Sequence, residues 1–144
     1  MKMKVVVDPD CYMPVRAHEQ DAGLDLFSPV DTMIGWPGSH TGNSVSIDTG
    51  VHVQIPAGYV GFIKSKSGLN VKHGVVSEGV IDSGYTGSIV VKLYNHGNKA
   101  VFIQKGQKIS QLVLLPIITP ELERVGILEE TERGNGGFGS TGDF

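Results

Sequence analysis

Cysteine is nearly missing from this chain: Cys11 stands alone among 144 residues. No intrachain disulfide can form, a zinc site built on cysteines is excluded, and the chain fits a reducing compartment. Long apolar runs are also missing. Nothing approaches the roughly 18 consecutive apolar residues of a membrane span, and the run Val5-Val6-Val7 after Met1-Lys2-Met3-Lys4 is too short for a secretory signal. A soluble, cytoplasmic protein with no membrane partner is expected. Positive charge is not in excess, since the formal net charge is -3. A broad nucleic-acid surface needs a basic face, so no nucleic-acid partner is expected, although a nucleotide pocket needs only a few local cations. The phosphate loop Gly-x-x-x-x-Gly-Lys-Ser/Thr and the serine-hydrolase elbow are absent, and no Gly-x-Gly-x-x-Gly follows a strand as a dinucleotide fingerprint would. The five histidines, His18, His40, His52, His73 and His96, lack metal-ligand spacing.

Glycine, by contrast, is abundant: 20 residues, joined by seven prolines, punctuate the whole chain. Between the breaks lie β-type runs at 4–7, 44–48, 51–55, 59–64, 88–94, 100–103 and 108–115, some strictly alternating, as in Val51-His52-Val53-Gln54-Ile55. No long segment carries the i, i+3, i+4 apolar pattern of an amphipathic helix. Many short strands separated by turns predict an all-β sandwich, jelly roll or barrel. Residues 67–73 suit one short helix, with Ser67 as its N-cap. Residues 33–43 read as a surface loop that exposes Trp36. With no repeat and no linker, one domain is expected, a β body over 1–132 followed by a glycine-rich arm over 133–144.

Five segments hold the residues that could do chemistry. Ala22-Gly23-Leu24-Asp25-Leu26 sets a carboxylate in an apolar strand, where a buried ion pair or a turn aspartate is the plainer reading. Lys64-Ser65-Lys66-Ser67-Gly68-Leu69 puts cations and hydroxyls at a helix start, whose free amides attract anions; taken alone, a solvated lysine turn is the plainer reading. Gly79-Val80-Ile81-Asp82-Ser83-Gly84-Tyr85-Thr86-Gly87 reads as a hairpin end carrying Asp82 and Tyr85. Gly106-Gln107-Lys108-Ile109-Ser110-Gln111-Leu112 looks like a plain strand. The tail Arg133-Gly134-Asn135-Gly136-Gly137-Phe138-Gly139-Ser140-Thr141-Gly142 is harder to explain as fraying. It combines an arginine, a ring and a hydroxyl pair with glycine, as a lid over a phosphorylated base requires.

In order and spacing these five segments resemble the five signature motifs of the trimeric dUTPase family, and they span Ala22 to Gly142. The resemblance implies a jelly roll, a homotrimer with shared active sites, and Mg²⁺-dependent hydrolysis of dUTP to dUMP and pyrophosphate. That reaction keeps uracil out of DNA and supplies dUMP for dTMP synthesis. It further implies Asp82 as the base for water attack on the α-phosphorus, and uracil read near Gly79, Val80, Ile81 and Val90. Tyr85 would lie under the deoxyribose and exclude a 2′-hydroxyl. Lys66, Ser67, Gly68 and Gln111 would contact the phosphates. From the arm, Phe138 would stack on uracil while Arg133, Gly139, Ser140 and Thr141 close over the phosphates. Asp25 and Lys108 would play supporting parts, and the ion would be held by phosphates and water without a direct protein ligand. The chain departs from the family pattern at Lys66 and Lys108, where arginine is usual, and at Gly84, where an acid is frequent. Ser77-Glu78 also replaces a more glycine-rich approach to the hairpin. A dCTP deaminase shares the fold class but relies on a catalytic glutamate and lacks the phenylalanine arm. A non-catalytic regulatory module is the other alternative, with residues 33–43 as its natural partner surface.

Overall fold

Short β-branched runs cut by glycine and proline form, in a computed structural model of the chain, ten strands and one helix among the described residues, which are 1–137 and 140. The strands are β1 (Lys4–Val7), β2 (Gly23–Phe27), β3 (Thr32–Ile34), β4 (Ser44–Asp48), β5 (Val51–Gln54), β6 (Tyr59–Ser65), β7 (Val75–Ile81), β8 (Val90–Asn95), β9 (Val101–Ile103) and β10 (Lys108–Pro116). The helix α1 (Ser67–His73) joins β6 to β7. Six strands form one curled sheet in the order β2-β10-β6-β7-β8-β4, and two ribbons, β1-β5 and β3-β9, accompany it. The pairings are all antiparallel.

The predicted alternation is what builds the core. Inward positions such as Leu26, Ile47, Val51, Ile63, Ile89, Val91, Leu93 and Leu112 are almost wholly removed from water, each contributing on the order of 1.5–3 kcal/mol of burial. Alternation breaks near the start of β10. Between Lys108 and Ser110 the register against β2 shifts by one residue. This bulge buries both Ile109 and Ser110 and leaves Lys108 reaching toward β2.

Two local expectations are corrected. Ser67 is not the N-cap of α1: that position is Lys66, extended at φ -77, ψ 125, with no side-chain cap bond. Ser67 therefore sits inside the first turn. The segment 33–43 is not wholly loop, because Met33 and Ile34 close β3 and Ile34 is fully buried. The remainder is a turn tied by Ser39, whose Oγ accepts from the Trp36 amide and donates to the Gly42 carbonyl. Trp36 is exposed there, as expected.

Candidate active site

The β7–β8 hairpin is joined only at its base. Val75, Val76 and Ser77 pair with Asn95, Tyr94 and Leu93, and beyond them the two strands part. Residues 78–81 turn to pair with β6, while 90–94 pair with β4. Between the parted strands lies a cleft of about 230 Å³ lined by Val80, Ile81, Asp82, Tyr85, Ser88 and Val90. Val80 and Val90, on opposite walls, are more than half exposed. The edge of 78–81 facing β8 keeps backbone donors and acceptors without a strand partner among the described residues, which is what a flat, hydrogen-bonding ligand edge needs. Gly79 lies on the β6 side, beside a second hollow lined by Phe62, Lys64, Glu78 and Val80. Lys64 and Glu78 are ion-paired across the strands there.

The turn that closes the cleft is built by sequence. The Tyr85 amide bonds to the Asp82 carbonyl at 3.1 Å, and Gly84 has φ 92, the positive angle that the third position of a type II turn demands. Tyr85 then folds back so that its hydroxyl donates to the Ser88 carbonyl at 3.0 Å. Its ring lies over Gly87, where a Cβ would come within 2.4 Å of the hydroxyl oxygen. Gly87 thus belongs to the site, and only the spacing Tyr-x-Gly hinted at it. Ser88, another cleft residue missed in the sequence, bonds the Asp48 carboxylate; that bond, with the Gly50 amide, holds the Asp48 pKa below the usual carboxylate range. The Asp82 side chain is exposed at the mouth.

At the other end of β6 the structure gathers charge. Asp25 is buried and accepts from Lys66 Nζ at 2.6 Å and Lys108 Nζ at 2.7 Å, one on each carboxylate oxygen. Burial pushes the Asp25 carboxyl up, but the bonds from Lys108 and Lys66 outweigh it and hold its pKa below the ordinary 3.8. Ser67 and Gly68 open α1 with amides that precede its first internal bond, from the Asn70 amide to the Lys66 carbonyl. Gln111 lies opposite Asp25 in register and donates to the Ser65 carbonyl at 3.0 Å. A Cβ on Gly23 would strike its side-chain oxygen at 2.1 Å, so Gly23 is the residue that makes room for Gln111. Ser110 supports the same end from below, bonding Ser77 and the Lys64 carbonyl.

The structure therefore brings Val80, Ile81, Asp82, Tyr85 and Val90 together in one place and Asp25, Lys66, Ser67, Gly68, Lys108 and Gln111 in another. It does not join the two within one chain. Gly61 opposes Ile81 and Lys64 opposes Glu78, so Asp82 and Lys66 are separated by about six residues of strand, roughly 20 Å at ~3.3 Å per residue. In the arm, Arg133 curls on itself, its Nε donating to the Gly136 carbonyl at 3.0 Å, and Ser140 lines a hollow with Arg133. Phe138, Gly139 and Thr141 lie outside the described residues.

A family model described as dUTPase matches residues 10–142. The chain belongs to the dUTPase family. Its curated relatives bear this out at nearly full length. The deoxyuridine 5'-triphosphate nucleotidohydrolase of Clostridium tetani is 43% identical over 99% of this chain and 96% of its own length. The mouse enzyme of the same description is 41% identical over 90% of this chain and 77% of its own. Among solved structures, the dUTPase of Staphylococcus bacteriophage 80alpha with dUpNHpp superposes with a TM-score of 0.86 at 32% identity, covering 98% of both chains. An Asp-to-Asn variant of the dUTPase of phage phi11, described with a structural Mg(II) ion, superposes at 0.79 with 30% identity, covering 90% of this chain and all of that one. The fold is accordingly the dUTPase jelly roll, and the activity is hydrolysis of dUTP.

Proposed function

We propose that the parted β7–β8 hairpin is the uracil and deoxyribose site, and that Asp82 at its mouth is the general base. The free backbone edge at 79–81, facing Val90, suits uracil. Cytosine presents the inverted donor and acceptor pattern there and would leave buried polar groups unpaired, a penalty worth ~10⁴-fold or more in such sites. Tyr85, pinned over Gly87, is the floor for the deoxyribose and leaves no space for a 2′-hydroxyl. Asp82 orients a water and takes its proton as the water attacks the α-phosphorus in line, giving dUMP and pyrophosphate.

Lys66, Ser67, Gly68 and Gln111 hold the phosphates, with Asp25 and Lys108 setting Lys66 in place. The arm 133–144 is a lid: Phe138 covers the base, and Arg133, Gly139, Ser140 and Thr141 close over the phosphates. Mg²⁺ suits this arrangement as a substrate-borne ion held by phosphate oxygens and water. Among the described residues no three His, Cys, Asp or Glu side chains gather within one chain. When bound, it would neutralise charge on the departing pyrophosphate.

The observation that carries this reading is the separation of the two residue groups. A base at one end of β6 and phosphate-holding cations roughly 20 Å away serve one dUTP only if they come from different copies of the chain. A homotrimer with shared sites satisfies that. The segment 117–128 supports it too: Ile118, Leu122, Ile127 and Leu128 are at least 80% exposed in irregular backbone, more apolar surface than a lone chain comfortably shows.

The test is complementation. Asp82→Asn and Lys66→Ala chains, each weak alone, are unfolded together, refolded and assayed for Mg²⁺-dependent pyrophosphate release from dUTP, with dCTP, dTTP and UTP as controls. Shared sites restore a substantial fraction of wild-type turnover in the mixture. A mixture no better than the sum of its parts places both residues in one chain's site and overturns the reading.

A further inference from the structure

The 82–88 turn is tied back to the neighbouring strands at three points. Ser83 Oγ donates to the Ile55 carbonyl at 3.2 Å, Ser88 Oγ bonds Asp48, and His52 of β5 reaches the Thr86 carbonyl through Nδ1 at 2.8 Å. The His52 contact differs in kind from the other two. The same ring approaches the Asp8 carboxylate, just beyond β1, through Nε2 at 3.3 Å. Both partners are acceptors. A neutral imidazole carries one N–H and can satisfy one of them; only the imidazolium can donate to both.

We propose that His52 is a positioning residue for dUTP hydrolysis: as an imidazolium it clasps the Asp82–Ser88 turn to β1 and holds Asp82 and Tyr85 in their working places. The proposal rests on the assignment of that turn to base and sugar binding.

The groups facing His52 are Asp8 at the end of β1, Asp48 at the end of β4, and Lys4, which lines the same open recess of about 410 Å³ as Asp8, His52 and Thr86. The two carboxylates favour the charged ring. Asp48 keeps its own charge throughout the neutral range, since its pKa is held below the carboxylate norm. Serine hydroxyls do not titrate there, so His52 is the tether that changes state near neutrality. The bond to the Thr86 carbonyl, then that to Asp8, raises the ring's pKa above its ordinary 6.5. The clasp is therefore complete below pH 6.5 and is lost as pH rises through the higher, folded-state value. Thr86 follows Tyr85 directly, so a slack carbonyl there frees the ring that floors the sugar.

The test compares full-length wild type, His52→Gln and Asp8→Asn in dUTP hydrolysis with Mg²⁺ between about pH 6 and pH 8. A glutamine amide can donate to the Thr86 carbonyl at every pH, so it serves as the conservative, non-titrating variant. The triphosphate's own ionisation cancels in the ratio of wild type to variant. The expected result is that kcat/KM of wild type, relative to His52→Gln, falls about three- to tenfold across that range, the size of one net hydrogen bond. In parallel, the His52 ring is titrated by NMR in the unmutated protein. A midpoint above 6.5 that drops in Asp8→Asn supports the clasp, even if His52→Gln should fold poorly. Superimposable pH profiles, or a ring that titrates at its ordinary value with and without Asp8, overturn it. Asp82→Asn assayed beside them separates the two readings: normal turnover there removes the base assignment, whereas a dead Asp82→Asn with identical His52 profiles removes only the clasp.

Discussion

The two ends of β6 hold their functional groups by opposite means. At the hairpin end the cleft surface is backbone and exposed valine, shaped by glycines and kept open because β7 and β8 follow different neighbours. At the helix end the surface is charge, fixed by one buried carboxylate that bonds two lysines at once. The first end can discriminate, because a free strand edge has a fixed donor and acceptor order. The second can attract but hardly discriminate, because an ammonium is a point charge without the fork of a guanidinium. On the assignment proposed above, specificity for uracil and deoxyribose and grip on phosphate are separable properties, which substitutions can address one at a time.

The largest expected effect falls on the hairpin side of that contrast. Asp82→Asn should reduce turnover by roughly 10²-fold or more while leaving dUTP binding near wild type; rapid-quench turnover together with calorimetric titration of a non-hydrolysable dUTP analogue checks both halves. Gly87→Ala comes next. Its methyl would collide with the Tyr85 hydroxyl, so the ring must move, and discrimination between dUTP and UTP should weaken by about tenfold while dCTP stays excluded. Competition assays with the three nucleotides would show it, and unchanged UTP rejection would detach Tyr85 from the sugar.

On the charge side, Asp25→Asn should act on stability and phosphate grip together. The folded Asp25 pKa lies below 3.8, so its contribution is present above that pH and is lost as pH falls through the lower folded value. Acid unfolding of wild type should therefore show a limb below pH 3.8 that the variant lacks, with the variant less stable by about 1–3 kcal/mol at neutral pH. Denaturant titration over pH 2–7 measures both. The smallest effect is expected from Lys66→Arg with Lys108→Arg. Both lysines are partly exposed, and the change should lower KM for dUTP by about threefold or less without altering nucleotide preference, a split visible in steady-state kinetics.

Much of the fold was legible because alternation is a local signal. Lys4–Val7 and Ser44–Asp48 form as read, and the runs starting at 51, 59, 88, 100 and 108 differ only at their ends. The short β3 was hidden in a glycine-rich stretch because three residues are too few to show a period. Ser67 misled as a cap because the backbone conformation, not the hydroxyl, decides where a helix begins, and Lys66 is the extended residue. Asp82 and Tyr85 stood out because their motif resembles one of the family's, whereas Gly23 and Ser88 did not and Gly87 was hinted at only by Tyr-x-Gly, since their importance depends on what folds against them.

The sequence by itself determined the inventory: which residues carry charge, which runs become strands, where turns must fall, and the family to which the chain belongs. Strand runs and turns depend on neighbours a few residues apart, and the family on the order of five short motifs along the chain. Only the tertiary structure decided that β7 and β8 part to open a cleft, and that Asp25 faces Lys66 and Lys108 rather than solvent. It also decided that His52 spans from Asp8 to Thr86. Those are pairings between residues tens of positions apart. Strand register and the bulge at Ile109 set them, and neither leaves a periodic trace in the chain.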